Sequence, residues 1–287
     1  MSQESPIERV AIATKAGSRE AMRVAEELCE WLGRRGLEVA LDERSHRALE
    51  RESAGVYDPE REYDLVLVLG GDGTLMSVAR AQTKGVPILG VNLGSLGFLT
   101  EINRGELYPC MVEILAGRFE TESRSLLDIE LERAGGGSLR YRALNDVVVT
   151  KSALARILDI RVEVDQRLLA RYRSDGLILS TPTGSTAYNL SAGGPIVFPS
   201  LPVIVVTPIC PHTLNHRPLV IPETSQVEVK LETQDEEVHL TIDGQEGTTL
   251  GPSDRVRVQS SEFHARLIRI SGRTFYDGLR SKLRWGS

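Results

Sequence analysis

The sequence predicts an α/β N-terminal domain with a parallel sheet, followed by a β-rich C-terminal domain of antiparallel, sandwich-like layers. Apolar, strand-like runs alternate with helical patterns as far as Ala116, an order that calls for parallel strands joined by helical crossovers. Beyond Ala116 the apolar period shortens to brief alternating runs bounded by turn residues, as antiparallel layers require. Within the first regime lies the most informative segment, where Leu65-Val66-Leu67-Val68-Leu69 runs into Gly70-Gly71-Asp72-Gly73-Thr74 and a helical pattern follows. A strand there feeds a glycine turn that opens a helix.

In chain order, residues 7 to 13 read as the first strand. Ser18 caps a helix with Met22, Ala25, Leu28, Cys29 and Leu32 on one face, ended by Gly33 and Gly36. Leu37 to Leu41, Asp64 to Leu69 and Pro87 to Val91 supply three more strands. The Arg- and Glu-rich crossover from Asp42 to Glu62 reads as a mobile, solvated segment. Glu106 to Ala116 is helical, interrupted or started near Pro109. The β-rich part takes strands at Leu126 to Leu131, Leu139 to Tyr141, Val147 to Thr150, Ile157 to Val164 and Leu168 to Tyr172, with turns at Gly135-Gly136-Gly137 and Asp165-Gln166. Leu177 to Ser180, Val203 to Val206, Val227 to Leu231, Val238 to Ile242, Val256 to Val258 and Ala265 to Ile270 complete it. Thr274 to Trp285 mixes aromatic, Leu and basic residues, the composition of a tail that docks. The corresponding division is 1–122, 123–268 and a tail of 269–287.

At 287 residues, 41% hydrophobic and 26% charged, the chain has the balance of a globular protein of two domains. A net charge of -6 supplies no global field for nucleic acid or anionic membrane, so any phosphate binding is local. The sequence contains no apolar stretch of membrane-spanning length, and Met1-Ser2-Gln3-Glu4-Ser5 lacks the basic and apolar regions of a signal peptide, so a cytoplasmic location is expected. Cys29, Cys110 and Cys210 have neither metal-like spacing nor a redox pairing.

The glycines of the Gly70–Thr74 turn allow backbone angles closed to other residues and bring amides close to a phosphate. A carboxylate beside a phosphate needs a task of its own, such as proton acceptance or metal contact, so Asp72 points to phosphoryl transfer. The plainer alternative is that Asp72 caps the following helix. Ligands in such sheets bind outside the carboxyl ends of the strands. The next strand end carries a second glycine-rich turn, Gly90-Val91-Asn92-Leu93-Gly94-Ser95-Leu96-Gly97-Phe98-Leu99.

Ser174-Asp175-Gly176, Thr181-Pro182-Thr183-Gly184-Ser185-Thr186-Ala187-Tyr188 and Ser191-Ala192-Gly193-Gly194-Pro195 concentrate hydroxyls and glycines that suit phosphate or ribose, with Tyr188 offering a flat face to a base. Alternatively their hydroxyls satisfy local backbone groups. Asn145-Asp146 before Val147 reads as a sugar- or adenine-reading pair or as an ordinary turn. Asp243-Gly244-Gln245-Glu246 is a hairpin signal first and a ligand contact second. His212 in Pro211-His212-Thr213-Leu214 has no nucleophile elbow to serve, since Gly-x-Ser-x-Gly is missing, and the Gly-x4-Gly-Lys-Ser/Thr loop is missing as well.

Taken together, these motifs, with Arg217-Pro218-Leu219, resemble the NAD kinase family in order over roughly residues 7 to 285. The resemblance implies a Rossmann-like N-terminal domain, a C-terminal tail returning to it, and a cytoplasmic homo-oligomer, dimer or tetramer, with NAD between domains near a subunit interface. It implies transfer of a phosphoryl group from ATP, or polyphosphate, to the 2′-hydroxyl of the adenosine ribose of NAD, giving NADP, with Mg²⁺ as the divalent ion. Asp72 is the implied proton acceptor, and Gly70, Gly71, Gly73 and Thr74 shape the donor-phosphate loop. The implied NAD contacts are Asp72, Gly73, Asn145, Asp146, Arg156, Arg173, Asp175, Thr186, Ala187, Tyr188, Asn189, Leu190, Ser191 and Gln245. Many relatives have Asn-Glu at Asn145-Asp146; the shorter carboxylate keeps the charge and loses reach. The alternatives are a diacylglycerol- or sphingosine-type lipid kinase, which shares the Gly-Gly-Asp-Gly-Thr loop, and a non-catalytic NAD-sensing module.

Overall fold

Strand β1 (Arg9–Thr14) is the centre of the first sheet, with Val10, Ala11 and Ile12 wholly buried. The structure, a computed structural model, describes residues 7–50, 54–94, 97–152, 156–213, 215–233, 237–269 and 272–284. Met1 to Ser5, Ser95, Leu96, Leu214, Ile270 and Trp285 from the segments discussed above lie outside them. The chain divides into two compact units, 1–123 with 265–287, and 124–264.

In the first unit, Ser18 accepts a hydrogen bond from the amide of Ala21 and caps α1 (Arg19–Gly33), which buries Ala21, Val24, Ala25, Leu28, Cys29 and Leu32. Met22 falls at the edge of that face and is half-buried. There follow β2 (Glu38–Leu41), α2 (Glu43–Leu49), β3 (Gly55–Val56), β4 (Leu65–Leu69), α3 (Asp72–Ala81), β5 (Pro87–Asn92), β6 (Ile102–Asn103) and α4 (Leu107–Leu115). The strands run in the order β5-β4-β1-β2-β3, all parallel, with β6 parallel beside β5. Every residue of β4 is buried, which is why it reads as a continuous apolar run rather than an alternating one.

The crossover from Asp42 to Glu62 is not merely solvated chain. Asp42 caps α2 by accepting from the amide of Ser45 and ties the turn back to β1 through the amide and hydroxyl of Thr14. Ser45 and Ala54 are buried beneath an otherwise charged surface. The Arg and Glu content reflects the outer face of a short helix, and the anchoring carboxylate is one residue that composition does not distinguish.

The second unit comprises β7 (Glu120–Glu132), β8 (Ser138–Ala143), β9 (Asp146–Lys151), β10 (Leu158–Val164), β11 (Arg167–Ser174), β12 (Gly176–Ser180), the single helical turn α5 (Tyr188–Ser191), β13 (Val203–Ile209), β14 (Leu219–Pro222), β15 (Val227–Leu231), β16 (Val238–Ile242), β17 (Glu246–Leu250) and β18 (Arg255–Arg269), although β7 begins and β18 ends in the first unit. One sheet is fully antiparallel in the order β14-β13-β12-β9-β16-β17. In the other layer β10 lies antiparallel to β11 and β15, β15 to β18 and β7 to β8, while β7 also pairs with β18. The inward residues of both layers, Leu127, Val149, Ile160, Leu179, Val206, Leu240 and Val258 among them, share one buried cluster, the signature of a sandwich.

Strands β14 and β17 escape the sequence pattern because their residues Leu219, Val220, Thr248 and Thr249 sit on exposed or half-exposed edges, and edge positions do not require apolar alternation. Val256–Val258 and Ala265–Arg269 belong to the single long strand β18, whose far end pairs in parallel with β5 through Arg266 opposite Pro87 and Leu267 opposite Ile88. After it, Thr274 and Asp277 form a reciprocal cap on α6 (Phe275–Leu283).

Gly176 opens the inner strand β12, where a Cβ would stand 2.3 Å from the carbonyl oxygen of Val149. The backbone of β9 cannot retreat without breaking its ladder to β16. Gly176→Ala is expected to lower unfolding free energy by about 1–3 kcal/mol, the usual range for overpacking, as read from chemical denaturation. An unchanged midpoint would mean that β9 and β12 are not paired as described.

Candidate functional site

Because β4 is buried along its whole length, the chain emerges only at its carboxyl end, where Gly70 and Gly71 turn into α3. None of Gly70, Gly71 and Gly73 uses a positive φ, so backbone freedom is not what the turn needs. The requirement at Gly70 is space, since a Cβ would stand 2.5 Å from Thr74 Oγ1. Gly71 is the N-cap and contributes no side-chain cap, and Asp72 is the first residue of the helix.

Asp72 does not cap α3. Its carboxylate turns away into the second glycine-rich turn, where Oδ2 accepts from the amide of Phe98 at 2.7 Å. Oδ1 accepts from the amides of Leu99 at 3.1 Å and Thr100 at 3.0 Å and from the Thr100 hydroxyl at 3.0 Å. The Thr100 hydroxyl is aimed at Asp72 because it also accepts from Asn92 Nδ2 and from the amide of Gly97. Asn92 in turn accepts from the amide of Gly94. A Cβ at Gly97 would lie 1.9 Å from Asp72 Oδ1, so only glycine lets the turn close around the carboxylate. The second turn is thus a cradle for Asp72 rather than a second phosphate loop.

The segment after this cradle is braced within the same unit. Arg269, at the end of β18, pairs with Glu101 and lies 3.4 Å from Glu122. Arg273 pairs with Glu106 at 2.6 Å, and the Phe98 ring lies 3.9 Å from where a Gly278 Cβ would stand on α6.

A second cluster forms in the second unit at the start of β9. The Asp243 carboxylate is 7% exposed and accepts three successive amides, those of Leu144 at 3.0 Å, Asn145 at 2.7 Å and Asp146 at 3.0 Å. Asp243 and Gly244 take φ of 50° and 63°, which fits the hairpin turn between β16 and β17. From the other side, the amide of Thr181 donates to the Asn145 carbonyl and the Thr181 hydroxyl to that of Leu144. Gly184 packs so closely that a Cβ would stand 2.1 Å from the Asn145 carbonyl oxygen. In the middle of this held backbone, Asn145 Oδ1 is buried and has no hydrogen-bond partner among the described residues. A buried amide oxygen left unsatisfied costs about 1–3 kcal/mol, which makes this oxygen a candidate acceptor.

The hydroxyl-rich stretch mostly follows its plainer reading. Ser185 donates to the Pro182 carbonyl and accepts from the amide of Val197, and Thr186 donates to the Thr183 carbonyl. Asn189 is fully buried; its amide group donates to the carbonyls of Ser185 and Pro195, and its oxygen accepts from Thr207. Thr186, Ala187 and Leu190 are half-buried, whereas Tyr188 and Ser191 are exposed on the turn α5. Asp175 faces Lys151 at 3.7 Å. Arg156, Arg173 and Gln245 are exposed, on the β9–β10 connection, on β11 and in the β16–β17 turn.

Two residues of the second cluster are not among the sequence candidates. Asp243 was visible only as half of an Asp-Gly turn, which needs no carboxylate; its three amide bonds depend on the pairing of β16 with β9. Arg124 is buried and reaches the Thr183 hydroxyl at 3.5 Å, a contact across 59 residues with no local signal.

Asp146 lies 3% exposed, and burial together with the neighbouring Asp243 carboxylate pushes its pKa up to about 7. An unfolded Asp titrates near pH 4, so between about 4 and 7 the folded chain holds a proton that the unfolded chain has released. Unfolding free energy therefore falls as pH rises through that window and levels off above it. Asp146→Asn is expected to remove this decline, measured as denaturation free energy at about pH 5 and about pH 8. The same decline in the variant would assign it to another group.

Two family models match the chain: the ATP-NAD kinase N-terminal domain over residues 10–119 and the ATP-NAD kinase C-terminal domain over residues 144–270. The NAD kinase of Geotalea daltonii is 46% identical over 98% of this chain and 99% of its own length. The NAD kinase of Geobacter sulfurreducens is 47% identical with the same coverage. The crystal structure of yeast NADH kinase complexed with NADH superposes with a TM-score of 0.91 at 26% identity, covering 99% of this chain and 89% of that one. The NAD kinase from Archaeoglobus fulgidus in complex with ATP gives a TM-score of 0.73 at 25% identity, over 96% of this chain and 98% of that one.

Proposed function

This chain belongs to the NAD kinase family and forms NADP from NAD, and we propose that Asp72 Oδ2 takes the proton from the 2′-hydroxyl of the adenosine ribose as that oxygen attacks the γ-phosphorus of ATP. The observation that carries the reading is the unequal loading of the Asp72 carboxylate. Among the described residues Oδ1 accepts three donors and Oδ2 accepts one, so Oδ2 is the less loaded oxygen. A ribose hydroxyl is a weak acid, so its proton must leave as the O–P bond forms. The bond from the γ-phosphorus to the bridging oxygen breaks, and ADP departs with the electron pair. Phosphoryl transfer demands alignment and charge stabilisation more than covalent chemistry. Four donors fix the direction of the carboxylate, while the ten-residue α3 presents its N-terminus, a position that favours phosphate, at the Gly70–Thr74 turn.

Asn145 and Asp146 are the proposed core of the NAD site, Asn145 Oδ1 accepting from the dinucleotide. Thr186, Ala187, Tyr188, Leu190, Ser191 and Gln245 are further proposed contacts, and Asn189, whose amide is engaged within the loop, acts by holding that loop in shape; Asp175, with Arg156 and Arg173, stands toward the Lys151 end of β9, away from Asn145. Among the described residues no group of three or more His, Cys, Asp or Glu could hold a metal by itself. Mg²⁺ fits this donor set as a companion of the ATP phosphates, completed by water rather than by a protein cage. It would neutralise charge on the transferring group. Polyphosphate would meet the same turn as ATP. The three free cysteines suit a reducing, cytoplasmic setting, and a homo-oligomer follows the family pattern. No helix among the described residues is long and apolar enough to cross a membrane.

NADP formation from NAD with Mg-ATP, with a parallel polyphosphate reaction, tests the reading. Asp72→Asn is expected to keep NAD affinity within about threefold and to lose about 100-fold or more of turnover, the scale of a lost general base. Equal loss of binding and turnover would reject the base role.

Gly97→Ala leaves Asp72 in place but forces its carboxylate out of the cradle, given the 1.9 Å separation. Its turnover should fall by at least about tenfold, as misplacement of a reacting group does, with NAD affinity little changed in equilibrium titration. Full turnover would show that the cradle does not aim Asp72.

A further inference from the structure

We propose that Asp243 is a positioning residue for NAD, which sets the side chain of Asn145 by holding three consecutive backbone amides. The inference rests on the reading that Asn145 and Asp146 contact NAD. Its own ground is geometric. The backbone from Leu144 to Asp146 is fixed on one side by the two oxygens of a single carboxylate, with bonds of 2.7 to 3.0 Å. It is fixed on the other by Thr181 and the close approach of Gly184. The amide of Asp243 itself donates to the Asp146 carbonyl at 2.9 Å, so the hairpin turn and the start of β9 are locked reciprocally.

A backbone turn alone does not need this carboxylate. Asn would supply the same positive φ at position 243, but its NH2 would face an amide hydrogen where Asp243 presents a second oxygen. Nor is the device what holds the sandwich together, since β9 has ladders on both sides to β12 and β16. What the carboxylate determines is where the Asn145 backbone stands, and therefore where its buried, unpartnered Oδ1 points. The carboxylate also stands next to Asp146, so the two acidic groups share one site with opposite duties. Asp243 is turned to the backbone and does not require a ligand.

The same unit contains a matching control. Asp254 is 6% exposed and accepts from the amides of Ala134 and Gly251, both at 2.9 Å, and from Arg133. It is an equally buried carboxylate clamp, but it lies beyond Leu250, at the other end of β17 from Asp243. Loss of either carboxylate removes charge-assisted bonds to backbone amides, and only the loss of Asp243 disturbs Asn145.

Steady-state kinetics and thermal melts on full-length Asp243→Asn, Asp254→Asn and Asn145→Ala test the assignment. Asp243→Asn should raise the KM for NAD by about tenfold or more, the scale of a lost charge-assisted hydrogen bond, with the KM for ATP unchanged and kcat held within about threefold. Asp254→Asn should lower the melting temperature comparably and leave the KM for NAD alone. A Asp243→Asn variant that melts earlier with an unchanged KM for NAD, while Asn145→Ala raises it, would overturn the positioning role and leave the NAD site standing. An unchanged KM in Asn145→Ala would instead overturn the assignment of the site itself. If Asp254→Asn raises the KM as much as Asp243→Asn does, the effect is one of general stability and the inference fails.

Discussion

A carboxylate that accepts a run of consecutive backbone amides, half-buried at Asp72 and buried at Asp243, is the interaction on which both candidate clusters depend. Asp72 gathers the amides of Phe98, Leu99 and Thr100, and Asp243 gathers those of Leu144, Asn145 and Asp146. In each case a loop at a strand end, where the sheet no longer dictates the backbone, is given a definite shape by one side chain. Bonds from amides to a charged acceptor are stronger than neutral ones, and losing the acceptor leaves several donors unsatisfied at once. The carboxylate also pins its own element to the loop, so α3 and the Phe98–Thr100 turn move as one piece.

Glycine has a corresponding part that differs from the usual one. At Gly70, Gly97 and Gly184 its value is the missing Cβ, because Thr74, the Asp72 carboxylate and the Asn145 carbonyl already occupy that space. Left-handed backbone is used elsewhere, at hairpin turns such as Gly244. At these three positions glycine is a packing residue against a side chain or a carbonyl, whereas Gly193, with φ 85°, uses the freedom of its backbone.

The two acidic groups at the start of β9 show how neighbours separate like side chains into different roles. Asp243 receives three amide donors, whereas Asp146 is buried beside that negative charge and is pushed toward the neutral form. The short side chain of Asp146 thus sits beside the Asp243 carboxylate, whose negative charge opposes a second one there. In the first unit, the ion pairs Arg269–Glu101 and Arg273–Glu106 brace the chain that follows the Asp72 cradle. These pairs lie partly shielded from water, where screening is weaker than at a fully exposed surface.

By itself the sequence determined the alternation of strands and helices in the first unit and the antiparallel layering of the second, and it singled out Asp72 and Asn145 as candidates. Those features are written in periods of apolar residues and in short motifs, which depend on neighbours a few positions apart. Helix α2, the edge strands β14 and β17 and the continuity of β18 were not legible, since short or edge elements need little apolar surface. Nor was the direction of any functional side chain. Asp72 had the sequence of a helix cap and became the acceptor of amides 26 to 28 residues away, while Asp243 had the sequence of a hairpin turn and holds a segment 97 to 99 residues away. Only tertiary structure brings such groups together, because a hydrogen bond is set by position in space and local pattern carries no information about a partner that distant.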